Sequence, residues 1–268
     1  MKIDRILVVY DPTSESQNAL DRAAIIATNE GSSIHLYACI HTDTAPDGAD
    51  NEQQAIAAQQ GILQTAAAPL VEQGIAVSTE VDWAEDWYQA IIEAAGRNNA
   101  GAVLKSSHPH SKGERRFKRT SDWTLIRECE CPVLLVKTTA SKDPRKVLAA
   151  IDIGSDNENY AELNKTILSF CQRYIGTEGA EIYFLNAHKD LASRPDRGTL
   201  IRTCGVESDR VIIEMENPDK AILKHAGELG VNLVVIGNSA RSGLSALMKS
   251  NTAEKVLDQL ECDLLALT

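Results

Sequence analysis

The sequence predicts an α/β protein made of two tandem, doubly wound, five-stranded parallel-sheet domains, and three observations predict it. The chain is 268 residues long, enough for two cores of ordinary size. Short apolar runs bounded by turn residues alternate with stretches of helical periodicity, as in parallel strands covered by helices on both faces. The pattern is also written twice: Arg5–Asp11 (RILVVYD) matches Lys146–Asp152 (KVLAAID), and Glu130–Lys137 (ECPVLLVK) matches Glu261–Thr268 (ECDLLALT). The expected domains are 1–140 and 146–268, joined by the short polar stretch SKDPR.

In the first copy, the strand ending at Asp11 leads into a helix with Leu20, Ala23, Ala24 and Ala27 on one face, closed near Gly31. Ser33–Ile40 reads as the second strand. A polar loop then enters an Ala- and Gln-rich helix over Asn51–Gln73, with Ile56, Leu63 and Leu70 on one stripe and Gly74 beyond its end. Ile75–Val81 is the third strand, and Trp87, Ile91 and Ala94 mark the third helix. Ala102–Lys105 is the fourth strand, the fourth helix starts near Thr120, and Pro132–Lys137 closes the domain.

The second copy opens with the strand ending at Asp152 and a helix carrying Leu163, Ile167, Cys171 and Tyr174. Ala180–Ala187 is its second strand. Lys189–Val206 is too short for the long helix of the first copy, so a short helix near Thr199–Cys204 and a more open edge are expected. Asp209–Glu216 is a strand, and Asn217-Pro218 reads as an N-cap followed by proline at the first helical position. The helix bearing Ile222, Ala226 and Leu229 leads to the apolar run Val231–Ile236, which ends at Gly237. After a loop of small residues, Asn251 can cap a helix with Ala253, Val256, Leu257 and Leu260 at helical spacing, and Cys262–Leu267 is the last strand.

Composition narrows the function. A net charge of −11 argues against nucleic acid or an anionic membrane as partner through the bulk surface. No apolar run approaches a membrane span, and the first residues run directly into a strand, so a cytoplasmic protein is expected. The six cysteines are scattered; Cys129 and Cys131 form one close pair without the second pair a zinc site needs, so buried thiols and no metal are expected.

A strand ending at glycine, a loop, and then a helix N-terminus together make a phosphate cradle, because glycine permits close backbone approach and the first helical turn offers N–H groups. Here Gly237, Ala240 and Ser250-Asn251 stand where the universal stress protein family has Gly-x2-Gly-x9-Gly-Ser/Thr. Together with ArgSerGlyLeuSer (241 to 245) and AsnThrAlaGlu (251 to 254), the stretch resembles that family, in particular its tandem E-type members. Thr120-Ser-Asp-Trp123 and CysProValLeuLeuVal (131 to 136) extend the resemblance to the first half. It implies the Rossmann-like fold and a non-enzymatic stress-response role. It also implies ATP, with Mg2+, or a related nucleotide at Ile151, Asp152, Ala187, Ile236, Gly237, Ala240, Arg241, Ser250, Asn251 and Thr252 of the second domain only. Dimerisation of single-domain members through their last strands further implies an intrachain pseudo-dimer around Val133–Val136 and Leu264–Leu267, with a homodimer of whole chains as a further candidate.

In the first copy the same alignment puts Lys105-Ser-Ser-His108 for Gly-x2-Gly and Arg119-Thr120 for Gly-Ser. The glycine cradle is replaced by a basic loop, residues 108 to 119, which includes Lys112, Arg115, Arg116, Lys118 and Arg119. Asp11, Lys105, His108, Arg115, Arg116, Arg119 and Thr120 are therefore candidates for an anionic ligand or an acidic protein partner, in a second reading in which the chain is an interaction module independent of nucleotide. An enzyme is not expected: there is no Gly-x4-Gly-Lys-Ser/Thr loop and no Ser-Gly-Gly-x-Asp-Ser loop, although weak ATPase activity stays open.

Overall fold

The computed structural model describes residues 3–12, 14–41, 49–107, 115–137, 146–153, 158–173, 175, 179–238, 256–257 and 259–268, with the side chains of 49–51, 115–121 and 158–159 left out. The chain divides into two compact units. One comprises residues 2–108 and 124–138; the other comprises 139–268 with Met1 and 109–123.

From Arg5 to Lys137 the order is β1 (Arg5–Val9), α1 (Asn18–Glu30), β2 (Ser33–His41), α2 (Ala49–Glu72), β3 (Val77–Ala84), α3 (Trp87–Arg97), β4 (Ala102–Ser107), α4 (Arg115–Glu128) and β5 (Val133–Lys137), with all but the first part of α4 in the first unit. The strands lie in the order β3-β2-β1-β4-β5, with the β1–β2, β1–β4, β2–β3 and β4–β5 pairs all parallel. The winding reverses between β1 and β4, as the alternation of strand and helix requires. Ile6, Leu7, Val8, Val103, Leu104 and Leu135 are almost wholly buried, which is why these strands read as unbroken apolar runs.

The second unit repeats the plan with β6 (Lys146–Ala150), α5 (Glu158–Gln172), β7 (Glu181–His188), α6 (Arg197–Cys204), β8 (Val211–Met215), α7 (Pro218–Leu229), β9 (Leu233–Gly237) and β10 (Asp263–Leu267). Its order is β10-β9-β6-β7-β8, again parallel, with the reversal between β6 and β9. Val147, Leu148, Phe184, Leu185, Val234, Val235 and Leu264 fill its core.

Several boundaries differ from expectation for physical reasons. The third strand starts at Val77, not Ile75, because Ile75 belongs to the end of α2: Gly74 takes the left-handed φ of 83°, and the Ile75 N–H donates to the Leu70 carbonyl at 3.0 Å. α4 starts at Arg115 and not near Thr120, so the helix takes up part of the basic stretch. Asn217 does precede α7, yet its side chain makes no capping bond. Its backbone and side-chain N–H groups instead donate to Glu216 Oε1 at 2.8 and 3.3 Å, while Pro218 opens the helix. Asp86 and Asp196 are the carboxylate caps the structure uses, accepting from the first-turn N–H groups of α3 and α6. The helix expected after Asn251 is described only at Val256, Leu257 and Gln259; Asn251 and Ala253 lie outside the described residues, as does Tyr174.

Candidate functional site

The carboxyl ends of β6, β7 and β9 carry the candidate nucleotide site of the second unit. The β6–β9 register runs to Ala149 opposite Val235, with Gly237 the last residue of β9 and Asp152 just past the end of β6. Asp152 is held there through its backbone. Asn164 of α5 accepts its N–H through Oδ1 at 3.0 Å and donates to its carbonyl through Nδ2 at 2.7 Å. Asn186 of β7, 2% exposed, accepts the next N–H, from Ile153, at 2.9 Å. Two buried carboxamides thus pin the turn that presents the aspartate. Burial pushes the Asp152 carboxyl above its ordinary value.

The other candidates separate into groups. Ile151 and Ile236 are 3% exposed, so their side chains are core, while Ala187 is half-buried at the end of β7. Gly237 is half-buried and closely packed: a Cβ there would lie 3.2 Å from Leu163 Cδ2 and 3.4 Å from Ile167 Cδ1 of α5. A side chain there would require Leu163 of the helix behind it to give by a few tenths of an ångström. Ala240, Arg241, Ser250, Asn251 and Thr252 lie outside the described residues.

In the first unit the strand registers correct the alignment of the two copies. Val103 opposite Val133 corresponds to Val234 opposite Leu264, and Ile6 opposite Ala102 to Val147 opposite Leu233. Lys105 therefore matches Ile236, and the counterpart of Gly237 is Ser106. Counted from Ser106, the pair Arg119-Thr120 falls where Ser250-Asn251 falls counted from Gly237; counted from Lys105, it does not.

The exchange has a structural use. Ser106, 5% exposed, accepts the N–H of Ala19 in the first turn of α1 through its Oγ at 3.1 Å. Asp11 is held much as Asp152 is, by an amide side chain from a different place: Gln17 Oε1 accepts its N–H at 3.2 Å and Nε2 donates to its carbonyl at 2.7 Å. Lys105 places its ammonium 5.5 Å from the centre of the Trp87 ring and donates to the Ser106 carbonyl at 3.2 Å. Of the basic candidates, His108 and the side chains of Arg115, Arg116, Arg119 and Thr120 lie outside the described residues. Among the described residues no helix is long and apolar enough to cross a membrane.

Sequence reasoning missed Gln17, Asn164 and Asn186. Each is a polar residue inside or beside a helix or strand, and its role shows only once the chain has turned back on the strand end.

The comparisons agree with this architecture. The family model described as "Universal stress protein family" matches residues 2–137 and 196–268. The stretch it passes over contains β6, α5 and β7, and with them Asp152, Asn164 and Asn186. Universal stress protein E of Photorhabdus laumondii is 28% identical, with 98% of this chain and 94% of that protein covered. A crystal structure of a functionally unknown protein from Pseudomonas aeruginosa PAO1 is 31% identical over 99% of this chain and 92% of that one, with a TM-score of 0.81. A universal stress protein from Archaeoglobus fulgidus, 16% identical with a TM-score of 0.77, covers 98% of this chain and 96% of that one and shares the fold. The chain belongs to the universal stress protein family, and its relatives named universal stress protein E span both of its halves.

Proposed function

We propose that this tandem universal stress protein is a non-enzymatic, cytoplasmic stress-response protein whose second unit takes ATP or a related nucleotide and whose first unit does not. The observation that carries the reading is the difference between the two strand ends. In the second unit, Asp152 is pinned by Asn164 and Asn186 with its carboxyl directed by neither, and Gly237 leaves β9 without a side chain at the reversal point. In the first unit, the matching Ser106 spends its hydroxyl on the Ala19 N–H, one of the first-turn donors of α1.

The residues present fit such a ligand in a limited way. Asp152 can accept hydrogen bonds from a base or ribose, and Gly237, half-buried at the end of β9, brings no side chain to the strand end. When bound, Mg2+ would neutralise phosphate charge. Occupancy would then alter the surface offered to protein partners, the output expected of a switch without catalysis.

The test is native mass spectrometry of the full chain with and without Mg-ATP. One nucleotide per chain, lost in Asp152→Ala and retained in Asp11→Ala, is the expected result. No nucleotide at millimolar ATP, or equal loss in both variants, would overturn it and favour partner binding through the basic stretch.

A further inference from the structure

Away from both strand-end sites, β2, β3 and α3 assemble a serine, a histidine and a glutamate in contact. His35 and Ser78 are register partners on neighbouring strands, and Glu80 lies two residues farther along β3 on the same face. Ser78 Oγ is 2.8 Å from His35 Nδ1, and His35 Nε2 is 2.8 Å from Glu80 Oε2. Glu80 is fixed in turn: Arg97 donates to its Oε1 at 2.5 Å, and Asn98 Nδ2 donates to its Oε2 at 2.7 Å. His35 is 4% exposed, whereas Ser78 is exposed.

These contacts fix the direction of the chain of hydrogen bonds. Burial alone would raise the Glu80 carboxyl, but the bonds from Arg97, Asn98 and His35 outweigh it and hold the group below its ordinary value. The carboxylate can only accept, so Nε2 of neutral His35 carries the proton and Nδ1 is left to accept from the Ser78 hydroxyl. A base paired with a hydroxyl and oriented by a third group is the arrangement that activates a serine. The backbone adds a donor. The Ile34 N–H donates to the Ala76 carbonyl, so residues 76 and 78 turn their polar groups toward β2 and residue 79 turns its N–H outward. β3 is the outer strand of its sheet, so that N–H, on the residue after the serine, faces the open edge.

We propose that Ser78 is an activated nucleophile, an acceptor site for acyl groups from activated esters, with His35 as its general base and Glu80 as a positioning residue. In the step, the Oγ–carbon bond forms and the ester's carbon–oxygen bond breaks. The Ser78 proton passes to His35 Nδ1 and from there to solvent, while the leaving group departs as its own oxyanion, p-nitrophenolate in the test below. Nothing is oxidised or reduced. The product is an O-acetyl serine when the donor is an acetate ester.

The experiment treats the full chain with p-nitrophenyl acetate and follows p-nitrophenolate release together with intact mass and peptide mapping. One acetyl group per chain on Ser78 is expected, formed at a rate that falls on acidification, since imidazolium cannot accept the proton. Ser78→Ala, an exposed change that leaves the fold intact, should abolish the label. His35→Gln should slow it at least tenfold. Glu80→Gln should slow the labelling, and the conservative Glu80→Asp should restore part of the rate, because a carboxylate accepting from Nε2 is what holds the ring in its working tautomer. Label spread over lysines, no burst, or a rate on Ser78 unchanged in His35→Gln would overturn the assignment.

Discussion

Asn164 grips the backbone of Asp152 from both sides, accepting its N–H at 3.0 Å and donating to its carbonyl at 2.7 Å. Asn164 is 9% exposed, so water cannot replace either bond. Asn164→Leu keeps the volume and strands both backbone groups, which should cost about 2–4 kcal/mol at roughly 1–2 kcal/mol for each unsatisfied group. Hydrogen exchange read by mass spectrometry should show faster exchange over Ile151–Ile153, with the segment around Asp11 unchanged.

Gly237 has a packing role that is separate from any ligand. Its missing Cβ would sit 3.2 Å from Leu163 Cδ2, so Gly237→Ala requires the Leu163 side chain to give by a few tenths of an ångström, at a cost of about 1 kcal/mol, and Gly237→Val at a cost of about 2–3 kcal/mol. Chemical denaturation without nucleotide should show both losses. Equal stability of Gly237→Ala and the parent would mean that the contact with Leu163 relaxes freely. Loss of nucleotide in Gly237→Val would therefore not by itself identify a ligand contact, which is why Asp152→Ala is the more informative variant.

The fold was legible in the sequence because its signals are local: apolar runs for buried strands, glycines such as Gly31 and Gly230 in the left-handed region closing α1 and α7, and a repeat that fixes the topology. The site was legible only in part. Asp152 and Gly237 follow from the end of a strand, which the apolar pattern marks. Asn164 lies twelve residues from Asp152 and Asn186 thirty-three from Ile153, so their bonds come from the fold and from no spacing. The alignment of Gly237 with Lys105 slipped by one residue because LKSS offers no glycine to anchor it, and the pairing of β4 with β1 and β5 agrees with the spacing to Arg119-Thr120 in setting Ser106 there instead.

Ser106 tests that register. Its hydroxyl accepts the Ala19 N–H in a buried setting, so Ser106→Ala should strand that donor and destabilise the first unit by about 1–3 kcal/mol. Ser106→Gly should cost as much or more, since glycine also loosens the strand, by about 0.5–1 kcal/mol. Lys105→Ala removes a contact with Trp87 and a bond to a carbonyl, strands no buried N–H, and should be milder. Thermal unfolding should show the largest loss in Ser106→Gly, an equal or smaller one in Ser106→Ala and the smallest in Lys105→Ala. A larger loss from Lys105→Ala would restore the original alignment.

Asp152 should oppose folding while serving the site. Burial raises its carboxyl above the ordinary value, so the folded state binds the proton more tightly than the unfolded state does. The sign follows: ionised Asp152 costs stability at neutral pH, and the cost fades as pH falls through the raised folded value and ends below the unfolded one. Asp152→Asn should consequently be more stable than the parent at neutral pH, with the advantage shrinking on acidification through the carboxylate range. Urea titrations of both proteins at a series of pH values measure this directly. An advantage that stays constant, or grows toward acid, would show that the carboxylate is compensated in the fold. A shrinking advantage joined to weaker nucleotide binding would mark Asp152 as a residue kept for its ligand at the expense of the fold.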